Sequence, residues 1–144
     1  MTEQDFLQDM QKRGATFAPA GPDGQVSITN INLQKIRAAM LPIFMTNLYK
    51  QCNGIKLGNG YIFGSAEFGK NGKHPVPSIV EINQDLTNIP TLRGKTIFGR
   101  NDLFWFAFDT FGKCFMLDTT DLKVLRKYED PYHAMTDCLV GGSF

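Results

Sequence analysis

Two histidines, three cysteines and fourteen acidic side chains are the groups in this 144-residue chain with obvious chemical potential. Nucleophilic catalysis needs a thiol or hydroxyl beside a base that a third group orients. Cys52, Cys114 and Cys138 fall on apolar positions of expected elements, where a thiol behaves as a small hydrophobe. His74 stands in a loop between Lys73 and Pro75, and His133 in the first turn of an expected helix. No nucleophile motif surrounds either, so no catalytic triad is expected. Metal binding needs clustered ligands, and no HExxH, CxxC or calcium-loop spacing occurs. Asp118-x-x-Asp121 is too short for a calcium loop. Gly58-x-Gly60-x-x-x-Gly64 misses the dinucleotide spacing by one residue and leads into the strand-like Tyr61-Ile62-Phe63, without the helix that would hold a pyrophosphate. The expectation is therefore no catalytic residue, no metal and no cofactor.

Carboxylates leave one enzymatic alternative. If 103–109 pairs with 113–118 across an Asp109–Gly112 turn, Phe108 faces Lys113 and Leu103 faces Asp118. Asp102 and Asp118 then come together at one end of the hairpin. Two carboxylates in unlike surroundings can divide acid and base roles. Asp at strand ends is also what turn chemistry selects. A small carboxylate-dependent enzyme therefore stands as a minor alternative.

The elements that would position these groups follow from periodicity. Residues 2–13 read as a helix capped by Thr2, with Phe6, Leu7 and Met10 on one face, and 18–24 as a Pro/Gly loop. Val26 and Ile28 alternate like a short strand. A helix opens at Asn30 or Asn32, showing Leu33, Ile36 and Met40, and Leu41-Pro42 interrupts it. The next helix carries Phe44, Leu48 and Cys52 at four-residue spacing, and Asn53-Gly54 is expected to end it in a left-handed cap. Strands 55–57 and 61–63 flank the tight turn Gly58-Asn59-Gly60, and 67–77 reads as loop. Ser78 and Glu81 have capping-box spacing for a helix over 78–86.

The clearest region is an aromatic antiparallel sheet over residues 96–128: strand 96–99, strand 103–109, and returns at 113–118 and 123–128. Phe104, Phe106 and Phe108 alternate with Leu103, Trp105 and Ala107, so both faces of that strand are apolar and expected to be covered. The alternating rings resemble an RNA-stacking surface only superficially, because the basic-Gly pair Arg93-Gly94 lies well upstream of them. Asp130-Pro131 starts a last helix with Met135, Cys138 and Leu139 inward, and Gly141-Gly142 ends it.

Bulk properties limit the functional classes. Length and the absence of a linker give a single domain over 1–144, with 1–28 as an N-terminal helix-and-loop extension and 30–140 as the core. Net charge is +1, and neither half is strongly basic or acidic, which excludes a dedicated nucleic-acid binder and an acidic nucleic-acid mimic. An odd cysteine count, no secretory signal pattern and no long apolar run point to a reducing cytoplasm and no membrane partner.

The order of motifs resembles the SUKH superfamily, which includes fungal cell-wall-assembly regulators and bacterial toxin-immunity proteins. The matching features begin with a helix after Leu41-Pro42 that passes Leu48-Tyr49 to Asn53-Gly54. A hairpin ending Tyr61-Ile62-Phe63-Gly64 and the short Ser78–Asn83 helix come next. The sequence Ile97-Phe98-Gly99-Arg100-Asn101-Asp102, a strand pair turning at Asp109 and Gly112, and a terminal helix complete the order. The resemblance spans roughly residues 30–140. It implies an α+β fold, an antiparallel or mixed twisted sheet with a C-terminal meander packed by helices. It also implies a protein without catalytic residues that neutralises a toxin encoded nearby by direct binding, or else a regulatory scaffold of the fungal type. The chain lacks the acidic excess of some nuclease-directed immunity proteins, so a nuclease partner is not favoured. Interfaces favour aromatic anchors rimmed by polar groups, which nominates Tyr61, Phe68 and Trp105, with Asp102 and Asp109 at strand ends, as partner-binding residues.

Overall fold

Thr2 and Asp5 close a reciprocal cap. Thr2 Oγ1 accepts the Asp5 N–H at 3.1 Å, and the Asp5 carboxylate accepts the Thr2 N–H at 3.4 Å. The helix they start, α1 (Glu3–Lys12), buries Phe6 and Met10, four residues apart on one face. The computed structural model describes residues 1–22, 24–65, 76–86 and 88–141. It continues with β1 (Thr16–Pro19), α2 (Gln25–Lys35), α3 (Ile43–Gln51), β2 (Cys52–Leu57), β3 (Gly60–Ile62) and α4 (Ile79–Gln84). A 3-10 turn (Pro90–Leu92) leads to β4 (Lys95–Arg100), β5 (Phe104–Asp109), β6 (Cys114–Asp118), β7 (Val124–Tyr128) and α5 (Pro131–Val140).

The fold is α+β. Among the described residues seven strands form one sheet in the order β1 to β7, and every neighbouring pair is antiparallel. The expected C-terminal meander is thus the second half of a meander that runs through the whole sheet. One face carries α3. Phe44 of α3 meets Phe98 and Phe108 edge-on at 6.1 Å each, Phe98 stacks on Phe108 at 5.9 Å, and Phe106 lies 6.3 Å from Tyr128. Such ring pairs are worth about 0.5–1.5 kcal/mol each beyond the area they bury. Helix α5 seats on the same face. A Cβ on Gly99 would lie 2.9 Å from Cys138 Sγ and 2.6 Å from Tyr61 O, so only glycine allows this approach.

Several local expectations give way to non-local forces. Val26 and Ile28 lie in α2 rather than a strand. The pair that matters there is Thr29 and Leu33, buried at helical spacing, while Ile28 faces solvent. Helix α2 ends at Lys35, so Met40 is half exposed rather than on its buried face. Ala18 and Pro19, expected in a loop, end β1, which pairs with β2 as the sheet's edge, a position that tolerates proline. Helix α3 stops at Gln51, and Cys52 is already extended, so Asn53-Gly54 is no helix cap. Gly54 is nonetheless demanded. Its φ is +109°, and a Cβ there would lie 2.8 Å from both Ile62 O and Val76 Cγ1. Ser78 caps the shorter α4 by accepting the Val80 N–H at 3.2 Å.

The β5–β6 register differs by one residue from that expected. Phe108 faces Cys114 and Phe104 faces Asp118. Asp109 causes the shift. Its Oδ1 accepts the N–H groups of Phe111 (2.9 Å) and Lys113 (3.0 Å), drawing Asp109 and Lys113 into the turn itself. The rings of β5 thereby share a face with Cys114 and Met116.

A buried side chain stands in for a missing strand. Beyond Phe63, whose N–H reaches Phe98 O at 2.8 Å, β3 no longer accompanies β4. Asn83 of α4 takes over. Its Oδ1 accepts the Ile97 N–H, and its Nδ2 donates to Ile97 O, both at 2.8 Å. Nδ2 also donates to Ile79 O at 2.7 Å. The amide mimics one rung of a β-ladder, so the Ile97 backbone is satisfied inside the core.

Candidate functional site

The face of the sheet opposite the helix-bearing one carries a row of paired residues. Cα partners in an antiparallel sheet point to the same side. The register therefore aligns Thr16, Lys56, Tyr61, Arg100, Trp105, Leu117 and Val124, one from each strand. Ring contacts corroborate the alignment at its centre. Lys56 Nζ lies 5.6 Å and the Arg100 guanidinium 5.8 Å from the centroid of Tyr61, one from each neighbouring strand. Deeper on this face Ile97, Ala107 and Leu117 are fully buried and Phe115 nearly so, with Lys95 Nζ 5.5 Å from the Phe115 ring. Towards the β4–β5 turn the cover ends: Tyr61 and Trp105 are half-buried and Arg100 is exposed. The expectation of a fully covered β5 therefore holds for Ala107 and not for Trp105 or Leu103, which is 60% exposed.

Two asparagines fix this corner. Asn101, itself buried, accepts the N–H groups of Leu103 (2.8 Å) and Phe104 (2.9 Å) through Oδ1. Its Nδ2 donates to Cys138 O at 3.1 Å, which ties the turn to α5. Asn59 Nδ2 donates to Asp102 Oδ2 at 2.7 Å, linking the β2–β3 turn to the β4–β5 turn. The hairpins bearing Tyr61 and Trp105 are thus latched together at their tips. From below, the Cys138 thiol donates to Tyr61 O at 3.3 Å.

The sequence candidates separate accordingly. Tyr61 and Trp105 flank Arg100 on one row. Asp102 is the latch, on the wall of a cleft of about 720 Å³ that also includes Arg13, Leu57, Leu103 and Val140. Asp109 lies at the other end of β5, its carboxylate committed to its own turn. Phe68 and His74 lie outside the described residues. Residue type alone does not single out Arg100 and Lys56; pairing outward from Trp105 across the short 101–103 turn leads to Arg100.

The enzymatic alternative meets different facts. Asp118 Oδ1 accepts the Thr120 N–H at 2.7 Å, whereas Asp102 serves Asn59, so each carboxylate holds a separate turn. A second polar group joins β7 to α5. Asp137 Oδ2 accepts from Arg126 Nη1 (3.0 Å) and Tyr128 Oη (2.8 Å), and His133 Nε2 lies 3.8 Å from Oδ1. Burial, then the bond to Asp137, pushes the Tyr128 phenol well above its ordinary range, so it stays a proton donor. The three thiols are buried, and burial raises Cys52 to about 11 and Cys114 to about 12, which keeps them protonated and unreactive. Among the described residues no three His, Cys, Asp or Glu side chains gather as a metal site, and no helix is long and apolar enough to cross a membrane.

A tryptophan, a tyrosine and an arginine are the side chains most enriched at interface hot spots. Here they stand on three adjacent strands of one sheet face. No protein-family model and no curated protein matches this chain.

Proposed function

We propose that this chain is a protein-binding module, and that the Tyr61–Arg100–Trp105 corner is its contact surface. The observation that carries the reading is the single row of half-exposed aromatics around an exposed arginine, held by the Asn59–Asp102 latch. Nucleic-acid stacking fits the same corner less well. Lys56 and Arg100 already occupy positions beside the Tyr61 ring, and the chain's net charge is only +1. The SUKH-like motif order supports a narrower reading, an immunity protein that neutralises a toxin encoded beside it in a bacterial cytoplasm. A regulatory scaffold would use the same surface with a different partner.

The test is a pull-down with the product of the neighbouring gene, together with survival of cells that express that product. Binding and protection by the wild-type chain, both lost in Arg100→Glu, support an immunity role. Binding without protection supports the scaffold. Neither binding nor protection removes the immunity reading.

A further inference from the structure

A second concavity lies away from the sheet row, where α2 ends and β4 begins. It is a cleft of about 700 Å³ lined by Lys35, Ile36, Arg37, Gln84, Asn88, Arg93 and Gly94. Three of these side chains are cations and none is a carboxylate. Among the described residues, no acidic side chain lies within ion-pair distance of Lys35, Arg37 or Arg93.

Arg37 is the informative residue. Helix α2 ends in a Schellman pattern: the Ala38 N–H donates to Leu33 O at 2.9 Å and the Arg37 N–H to Gln34 O at 3.0 Å. The donor of the shorter loop must be left-handed in this pattern, and Arg37 has φ +62°. Glycine normally fills that place because any Cβ is strained there. The other non-glycine residue with positive φ among the described residues, Leu122, recovers the cost by packing on the core. Arg37 is exposed and recovers nothing of the kind. A local rule broken without structural return is the pattern expected where a side chain serves a ligand.

We propose that this cleft binds a small phosphate-bearing anion. Two guanidinium forks match phosphate oxygens in pairs, Lys35 adds a point charge, and the amides of Gln84 and Asn88 offer further donors. The volume suits a small molecule rather than a polymer. Lys35 also complements the negative end of α2, but that effect reaches only the last helical turn and does not account for Arg93. This inference is independent of the sheet-face reading.

The experiment titrates sodium pyrophosphate against sodium chloride at matched ionic strength, followed by calorimetry and thermal melting. Saturable binding is expected, with the wild-type midpoint rising by about 5 °C at ten times the Kd. Arg93→Ala should weaken pyrophosphate binding by roughly tenfold or more. Arg37→Gly should weaken it similarly while raising the melting midpoint without ligand, so lost binding cannot be blamed on misfolding. Three results would overturn the proposal: a wild-type response no larger than that to chloride, affinity within about twofold of wild type in both variants, or tighter binding of a short single-stranded oligonucleotide than of pyrophosphate.

Discussion

Replacing Asn83 with leucine tests the link between one side chain and the whole functional corner. The substitution keeps roughly the volume and removes the amide. Ile97 then loses both partners of its backbone, an N–H and a C=O that are each bonded at 2.8 Å in a fully buried position. A buried polar group without a partner costs about 1–3 kcal/mol. Two such groups cost about 2–6 kcal/mol, and the added apolar contact of leucine returns about 1–2 kcal/mol at best. The net loss centres on about 2.5 kcal/mol, a large share of a domain stability of about 5–15 kcal/mol. Urea unfolding followed by Trp105 fluorescence and far-UV circular dichroism measures it as a lower midpoint at unchanged slope. In thermal melts the same loss lowers Tm by roughly 5–15 °C. The site should feel it too, because Ile97 adjoins the irregularity after which β4 resumes pairing and brings Arg100 opposite Trp105. Stability within about 0.5 kcal/mol of wild type would refute the reasoning, since the amide would then not be completing the ladder.

Three further outcomes follow from the same structure. Gly54→Ala places a Cβ 2.8 Å from Ile62 O at a φ of +109°, and should destabilise the fold by about 2 kcal/mol or more, read from the urea midpoint. Alkaline pH should also destabilise the protein. The folded thiols of Cys52 and Cys114 titrate at about 11 and about 12 against an ordinary 9.0, so the unfolded chain loses these protons first. Their contribution is complete below pH 9 and declines as pH rises through the folded values. The urea midpoint should therefore be lower at pH 10 than at pH 8, and all three thiols should react with a disulfide reagent in urea but not in the native protein. A midpoint unchanged between those pH values, or fast native labelling, would contradict the burial of these groups.

Local chemistry made the second half of the sheet legible in the sequence. Short turns at Asp109–Gly112 and Asp118–Asp121 join strongly alternating segments, and Asp130-Pro131 announces α5 with an N-cap that the structure contains, Tyr132 N–H to Asp130 Oδ1 at 2.9 Å. The first half depends on distant partners. Strand β1 exists because Thr16 pairs with Lys56, and nothing near residue 16 signals that. Val26 and Ile28 suit period two as well as a helix, and Thr29 and Leu33 decide between them only once a core exists to bury them. Gly54 stood out correctly as obligatory and for the wrong reason, since its constraint is a crossing backbone rather than a helix end. At the site, Tyr61 and Trp105 could be nominated by residue type. Their common row, the arginine between them and the tying role of Asp102 depend on register, which the side chain of Asp109 and the irregularity in β4 shift by single residues.

The central claim is that the Tyr61–Arg100–Trp105 corner is where a protein partner docks. It is tested most directly by measuring the affinity for the neighbouring gene's product in wild type, Arg100→Glu and Lys127→Glu. Arg100 is exposed, so its reversal should leave Tm nearly unchanged, while Lys127, exposed on β7 of the same face but outside the row and three strands from Arg100, controls for charge. The account predicts at least about a thirtyfold loss for Arg100→Glu and about twofold or less for Lys127→Glu. Equal affinity of all three folded proteins would contradict it.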